Sequence, residues 1–284
     1  MEISYCIFDP TGNITALVET GVDVAQQPAV AAEIMREHHE VEQVGFVRMY
    51  AGGSGPGGAA VSLRMAGGEF CGNATMSSAA LFARRNEKHF GDIGLAEVRV
   101  DGIEEPFSVR LRREDASCWA AGVKMPPAKS IDELRMTAEG FPAAEFGTLP
   151  VVRMQGIDHI MIEEKSFYFN LKDNRELTES LIRKICGVLG SDCLGMMFLA
   201  DGGREREMKP LVYVPGADTM FWENSCASGS VAAGQYLAAV AGEAVKIALK
   251  EPGGTLVVES DLVTGETWLY GGTKLRDQLT MKLT

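Results

Sequence analysis

The stretch Gly67-Gly68-Glu69-Phe70-Cys71-Gly72-Asn73-Ala74-Thr75 has a counterpart far downstream in Glu223-Asn224-Ser225-Cys226-Ala227-Ser228-Gly229-Ser230. Each sets a cysteine after a polar turn and ahead of a run of small and apolar residues, Ala74 to Ala83 and Val231 to Ala241. Runs of that length suit buried helices, and the turn residues place each cysteine at or near a helix N-cap. A thiol there meets unpaired backbone N–H groups and the positive end of the helix dipole, which favours its thiolate. Two such cysteines in matched contexts suggest a pair of opposed acid/base thiols.

The match extends outward from the cysteines. Gly12-Asn13-Ile14 pairs with Gly156-Ile157-Asp158, Val44-Gly45-Phe46-Val47 with Leu194-Gly195-Met196-Met197, and Cys71 with Cys226, at an offset that grows slowly along the chain. Small insertions between two parallel halves produce such a drift. The duplication predicts an α+β fold of two pseudo-symmetric domains facing each other, each a mainly antiparallel β-sheet wrapped around a central helix. A cleft between domains is a usual place for a ligand.

In order, Ile3 to Phe8 and Ile14 to Glu19 read as strands joined by the turn Asp9-Pro10-Thr11-Gly12-Asn13. A helix from about Pro28 to His38 follows, with His38 and His39 as solvated residues at its end, and then a strand from Val44 to Tyr50. The Gly-rich residues 51–60 lead into another strand, Val61 to Met65, and lack the GK[ST] ending, so they read as a hairpin loop and not as a phosphate loop. Val98 to Val100 and Phe107 to Arg112 form a hairpin around Asp101-Gly102. Trp119 to Lys124 opens the second set, with Pro126-Pro127 as a linker or edge. Val151 to Gln155, Ile160 to Glu163, a helix around Leu177 to Leu189, and Met196 to Ala200 repeat the earlier order. Asp201-Gly202-Gly203 then turns into Met208 to Val214.

Composition bounds the function. The 284 residues are 46% hydrophobic and carry a formal net charge of −12. An acidic balance argues against nucleic acid and anionic membranes as partners. No apolar run approaches the roughly 18 residues of a membrane span, and Met1-Glu2-Ile3-Ser4 lacks the basic start of a signal peptide, so the protein is expected to be cytoplasmic. The six cysteines show no CxxC and no common zinc spacing. Cys6, Cys118 and Cys186 read as buried packing thiols.

With these residues in place, the chain resembles the diaminopimelate epimerase superfamily of cofactor-independent enzymes with two pseudo-symmetric domains. The resemblance rests on Gly12-Asn13, Cys71-Gly72-Asn73-Ala74, His159, Cys226-Ala227-Ser228-Gly229 and Pro252-Gly253-Gly254-Thr255-Leu256, in the family's order and over almost the whole chain. It implies that Cys71 and Cys226 exchange the α-hydrogen of an amino acid. It also implies that the last strand, Gln278 to Leu283, returns to the first domain. The domains are then 1–117 plus 275–284, carrying Cys71, and 118–274, carrying Cys226. Diaminopimelate epimerases usually carry an acidic-basic pair where this chain has Val214-Pro215, and Asn-Pro where it has Ile157-Asp158. Gly68-Glu69-Phe70-Cys71 and Glu42 look more like the amino-acid racemase and phenazine-biosynthesis isomerase branches. The latter uses a carboxylate near the Glu42 position and lacks the cysteine pair.

The expected activity is therefore a pyridoxal phosphate-independent amino-acid racemase or epimerase that needs no cofactor and no metal. Inverting a weakly acidic carbon centre takes a base on one face and an acid on the other, which Cys71 and Cys226 supply. Backbone N–H groups at Gly72, Asn73, Ala227 and Ser228 suit the substrate carboxylate, and the Asn13 amide suits its ammonium or carboxylate. His159, Glu42, Arg64 and Glu223 complete the candidate pocket. The plainer readings are a turn asparagine, a satisfied strand histidine and three surface charges. Asp158, Glu42 and Glu223 favour a basic or imidazole side chain, so histidine or another cationic amino acid is the expected substrate. The competing readings are diaminopimelate epimerase itself, an isomerase using Glu42 as base, and a non-catalytic amino-acid-binding protein. The expected partners are a small-molecule substrate only, with the chain a monomer or homodimer.

Overall fold

A computed structural model describes residues 1–68, 70–135, 148–202 and 205–282, and for Ala217 the backbone alone. In chain order the elements are β1 (Glu2–Pro10), β2 (Thr15–Val18), α1 (Gln27–Glu37), β3 (Gln43–Met49), β4 (Val61–Met65), α2 (Gly72–Arg85), α3 (Glu87–Phe90), β5 (Ile93–Val100), β6 (Phe107–Arg113) and β7 (Cys118–Met125). Then come β8 (Ser130–Arg135), β9 (Thr148–Arg153), β10 (Asp158–Glu163), α4 (Arg175–Leu189), β11 (Leu194–Asp201), β12 (Arg206–Val214), β13 (Thr219–Trp222), α5 (Ala227–Ala241), β14 (Val245–Glu251), β15 (Gly254–Ser260) and β16 (Thr267–Lys282). The protein is thus mixed α+β, dominated by strands. Its contacts divide it into two compact units, Met1–Met125 with Trp268–Thr284, and Pro126–Thr267.

In the first unit the strands run in the order β1-β2-β3-β4-β5-β6-β7-β16, and β16 pairs back onto β1, closing a ring. Closure leaves no strand edge. The α2 helix touches β1 through β7, and Gly72 through Ala83 are all buried, so it fills the ring. Its small residues allow that close fit on every side. The α1 helix lies on the other face, where Val30, Ala31 and Ile34 pack with Ile3, Tyr5, Ile7, Val44 and Phe46. Burial of each such aliphatic side chain stabilises the unit by about 1.5–3 kcal/mol.

In the second unit the order is β15-β14-β12-β11-β10-β9-β8, with β13 added to β12. The α5 helix packs on β10, β11, β14 and β15. The α4 helix buries Leu181, Ile182, Ile185 and Cys186 against Ile160, Ile162, Met196 and Phe198.

Several sequence expectations are corrected. β7, read as the opening of the second set, pairs with β6 in the first unit, because its alternation continues that sheet face. His38 is not a solvated helix end: Tyr5 Oη and His38 Nε2 lie 2.9 Å apart, with the rings edge to face. Cys118 is half-buried, although Cys6 and Cys186 are buried. The Gly-rich residues 51–60 do join the antiparallel pair β3 and β4. Strands β8, β13, β14 and β15 have no counterpart in the sequence reading. Glu69, Gly203 and Leu283, which that reading placed in turns and in the last strand, lie outside the described residues.

Candidate active site

In the first unit Cys71 is the N-cap of α2. Its backbone is extended (φ −133, ψ 111), and its sulfur accepts the Ala74 N–H at 3.4 Å. The Thr75 N–H and hydroxyl both donate to the Cys71 carbonyl, at 2.9 and 2.8 Å. These bonds fix the cysteine over the first helical turn, the geometry in which an N-cap side chain satisfies an orphan N–H. The adjacent Asn73 is buried, and its Oδ1 takes no hydrogen bond among the described residues.

Asn13 sits in the turn between β1 and β2. Gly12 reaches φ 92 there, and its N–H donates to Asp9 Oδ1 at 2.7 Å. The glycine suits that left-handed backbone. Asn13 is 1% exposed; its Nδ2 donates to Glu42 Oε2 at 2.9 Å, and its Oδ1 takes no hydrogen bond among the described residues. The Glu42 N–H donates to the Ile14 carbonyl at 2.9 Å, so the start of β3 carries Glu42 to the β1–β2 turn. Asn13 and Glu42 are thereby brought together. Arg64 on β4 is ion-paired with Asp101. It is half-buried in that pair and not a bare surface charge.

In the second unit Cys226 is the N-cap of α5, 5% exposed, and its sulfur faces the Gly229 N–H of the first helical turn. Its sulfur lies 3.7 Å from Ser228 Oγ, and that hydroxyl lies 3.1 Å from His159 Nε2. His159 is fully buried on β10; burial holds its imidazole down at about 3, with Asp158 opposing. The ring is therefore neutral at physiological pH. Facing it on β11 is Gly195, where an added Cβ would come within 2.3 Å of His159 Nδ1. Asp158, expected to meet a cationic side chain, is instead held by Arg153 and Ser191.

The thiol of Cys226 departs from the expected thiolate. Burial first, then the charge and hydrogen bond of Glu223, then the charge of Glu251 push it well above its ordinary value, while the Gly229 N–H works the other way. A helix terminus contributes about 0.3–1 kcal/mol to a nearby charge, up to ~2 when partly buried. Full desolvation beside two carboxylates outweighs that.

Glu251 is a residue the sequence reading missed. It is 4% exposed, and its carboxylate accepts the Cys226 N–H and the Ser230 hydroxyl, each at 2.6 Å. A signal was available. Leu249 and Glu251 are buried and Lys250 is exposed along β14, so strand alternation puts a carboxylate on the core face.

Strands closing around a buried helix, with a cysteine at the helix start, are joined by relatives that place the chain among the amino-acid racemases, a class of isomerase. The chain belongs to the histidine racemase CntK N-terminal domain family, whose model matches residues 2–269. It is 33% identical over 243 residues to a histidine racemase of Fusobacterium nucleatum subsp. nucleatum, covering 83% of this chain and 81% of that one. It is 27% identical over 262 residues to a histidine racemase of Staphylococcus aureus, covering 91% and 88%. Among solved structures, a hydroxyproline epimerase of Agrobacterium vitis shares the fold with a TM-score of 0.68 at 12% identity, covering 99% of this chain and 93% of that one. Phenazine-biosynthesis PhzF-family proteins and a probable proline racemase share it too. No helix among the described residues is long and apolar enough to cross a membrane.

Proposed function

We propose that this protein is a histidine racemase that works without pyridoxal phosphate, with Cys71 and Cys226 as its two acid/base groups. The observation that carries the reading is the placement of both thiols: each is buried, and each is the N-cap of a helix of small residues, α2 and α5. One thiol takes the α-hydrogen while the other delivers a proton to the opposite face, and the roles exchange with substrate hand. Cys226, held as a thiol at rest, is the acid of the resting enzyme. Helix N–H groups at Gly72, Asn73, Ala227 and Ser228 receive the substrate carboxylate as charge builds on it. Asn13, Glu42, Arg64, His159 and Glu223 bind the rest of the substrate, and Glu42 and Glu223 supply carboxylates for a basic side chain.

Duplication is part of the same reading. In the first unit β1 and β2 pair antiparallel, β2 and β3 parallel, β3 and β4 antiparallel, β4 and β5 parallel, β5 and β6 antiparallel. From β9 through β10, β11, β12 and β14 to β15 the same alternation recurs in the second unit. The parallel steps carry α1 and α2 in one case and α4 and α5 in the other. We take the two units as the pseudo-symmetric domains of the epimerase fold.

A chiral assay across the amino acids and diaminopimelate, with solvent-deuterium uptake at the α-carbon, tests the function. Histidine is the expected substrate. Cys71→Ser and Cys226→Ser should each lose about 10²–10⁴ of the racemisation rate, and each should keep more exchange with one enantiomer, the favoured hand switching between them. Near-full racemisation in both variants would remove the paired-thiol mechanism and turn attention to Glu42 as base.

A further inference from the structure

The Pro252-Gly253 connection between β14 and β15 is a two-residue hairpin, with Glu251 opposite Gly254. Its tip is seated on the turn that leads into α5: the Gly253 N–H donates to the Asn224 carbonyl at 2.8 Å. Two residues before Gly253, the buried Glu251 carboxylate accepts the Cys226 N–H and the Ser230 hydroxyl, each at 2.6 Å. Helices ordinarily take their N-terminal acceptor from a Ser, Thr, Asp or Asn at the N-cap itself. Here the N-cap is Cys226, and its own N–H is taken by a carboxylate that arrives from another strand. Burying a carboxylate for two hydrogen bonds is an expensive way to hold a turn. A function for its charge explains the choice.

We propose that Glu251 is the positioning residue of Cys226: its carboxylate clamps the first turn of α5 and sets a negative charge behind the thiol, holding Cys226 as the protonated member of the acid/base pair. The inference rests on the two-thiol reading above. The other groups around the clamp are few. The turn before α5 presents Glu223, which acts on both Cys226 and Glu251. β10 presents the neutral His159 through Ser228, and its Glu163 accepts from Tyr236. β11 and β15 meet α5 with Met197 at Gly229 and Val258 at Gly234. Burial raises the Glu251 carboxyl to about 8, against the lowering by the Ser230 hydroxyl and the Cys226 N–H, so the charge behind the thiol develops as pH rises past that value, before the Cys226 thiol itself titrates.

The test is the pH dependence of Cys226 alkylation by iodoacetamide in the full-length protein, followed on the Cys226 peptide by mass spectrometry. Glu251→Gln keeps the shape and removes the charge. Its alkylation midpoint should fall by on the order of one pH unit, and the pH profile of kcat should move with it while KM holds. Ser230→Ala, which deprives the charged carboxylate of a donor, should move the midpoint in the same direction by less, and it serves if the glutamine variant does not fold. A midpoint equal to wild type in the folded variants overturns the proposal, since a purely structural clamp would leave it in place. Cys226→Ser, assayed in parallel, separates the two readings. Wild-type racemisation there would sink the two-thiol mechanism, whereas the alkylation midpoint decides the Glu251 clamp by itself.

Discussion

The second unit buries two titratable groups held far from their ordinary values in opposite senses, and together they shape its stability against pH. Burial, with Asp158 opposing, holds His159 down at about 3 from 6.5. Burial first, with Glu223 adding to it, raises Glu251 to about 8 from 4.5, its two hydrogen bonds opposing. For His159 the unfolded chain binds the extra proton between the two values, so stability is lost as pH falls from 6.5 towards 3. For Glu251 the folded chain binds it, so stability is lost as pH rises from 4.5 towards 8. Each group contributes a slope of roughly 1.4 kcal/mol per pH unit, and where one acts alone, from 3 to 4.5 and from 6.5 to 8, stability falls by about 2 kcal/mol. Between 4.5 and 6.5 the slopes cancel, so a plateau with two falling shoulders is expected.

Of the three tryptophans, Trp119 and Trp268 belong to the first unit and Trp222 to the second. Urea unfolding in a Trp119→Phe, Trp268→Phe background, read by Trp222 fluorescence from about pH 4 to 9, isolates the relevant transition. His159→Gln should remove the acid shoulder and turn the plateau into a continuous fall from 4.5 to 8, and Glu251→Gln should remove the alkaline shoulder and extend the acid limb up to 6.5. A wild-type stability that stays level from about pH 6.5 to 8, or a Glu251→Gln variant whose curve parallels the wild type, would refute the reasoning.

Two further outcomes are expected. Gly195→Ala sets a Cβ 2.3 Å from His159 Nδ1 and 2.7 Å from Met197 Cε; overpacking of this kind costs about 1–3 kcal/mol. Displacing the imidazole from Ser228 should also cut kcat, so a variant with unchanged melting temperature and turnover would show that the contact is not constraining. Protein purified in chelator and free of any visible chromophore should racemise at full rate; activity that returns only on adding a metal or pyridoxal phosphate would exclude the cofactor-independent mechanism.

Much of this arrangement was legible in the sequence because it is local. Cys71 and Cys226 announce themselves by a polar turn and a following run of small residues, and both are N-caps. Gly12-Asn13 reads as a turn, and it is one. The partner of Asn13 was not legible, since Glu42 reaches it through the β2–β3 pairing across 29 residues. Glu251 was hidden in the same way, 25 residues beyond Cys226. β14 and β15 also escaped, because their half-buried alternation mixes Lys246, Lys250 and Glu259 with the core-facing Leu249, Leu256 and Val258. A strand with one wet face resembles a polar segment until its partner is known.

The same distinction bears on the mechanism. The two cysteine motifs look alike in sequence, and an argument from helix termini alone assigns both thiols the same acidity. The Cys71 sulfur accepts the Ala74 N–H, and Cys226 faces Glu223 and Glu251, which with burial push its thiol well above the ordinary value. A racemase working with two bases begins each turnover with one acid and one base, so two equivalent thiolates would stall it. Asymmetry between motifs that match in sequence is what such chemistry requires. On the proposed mechanism it comes from carboxylates brought to α5 by the turn before it and by β14. Substitutions at Glu223 and Glu251 should therefore alter the balance between the two directions of racemisation more than substitutions in either cysteine motif's following turn. Because the equilibrium constant of a racemisation is one, kcat/KM stays equal in the two directions, so the readout is kcat at saturating L- and D-histidine in Glu223→Gln and Glu251→Gln, set against Thr75→Val at the start of α2; equal effects on both kcat values in all three would place the asymmetry elsewhere.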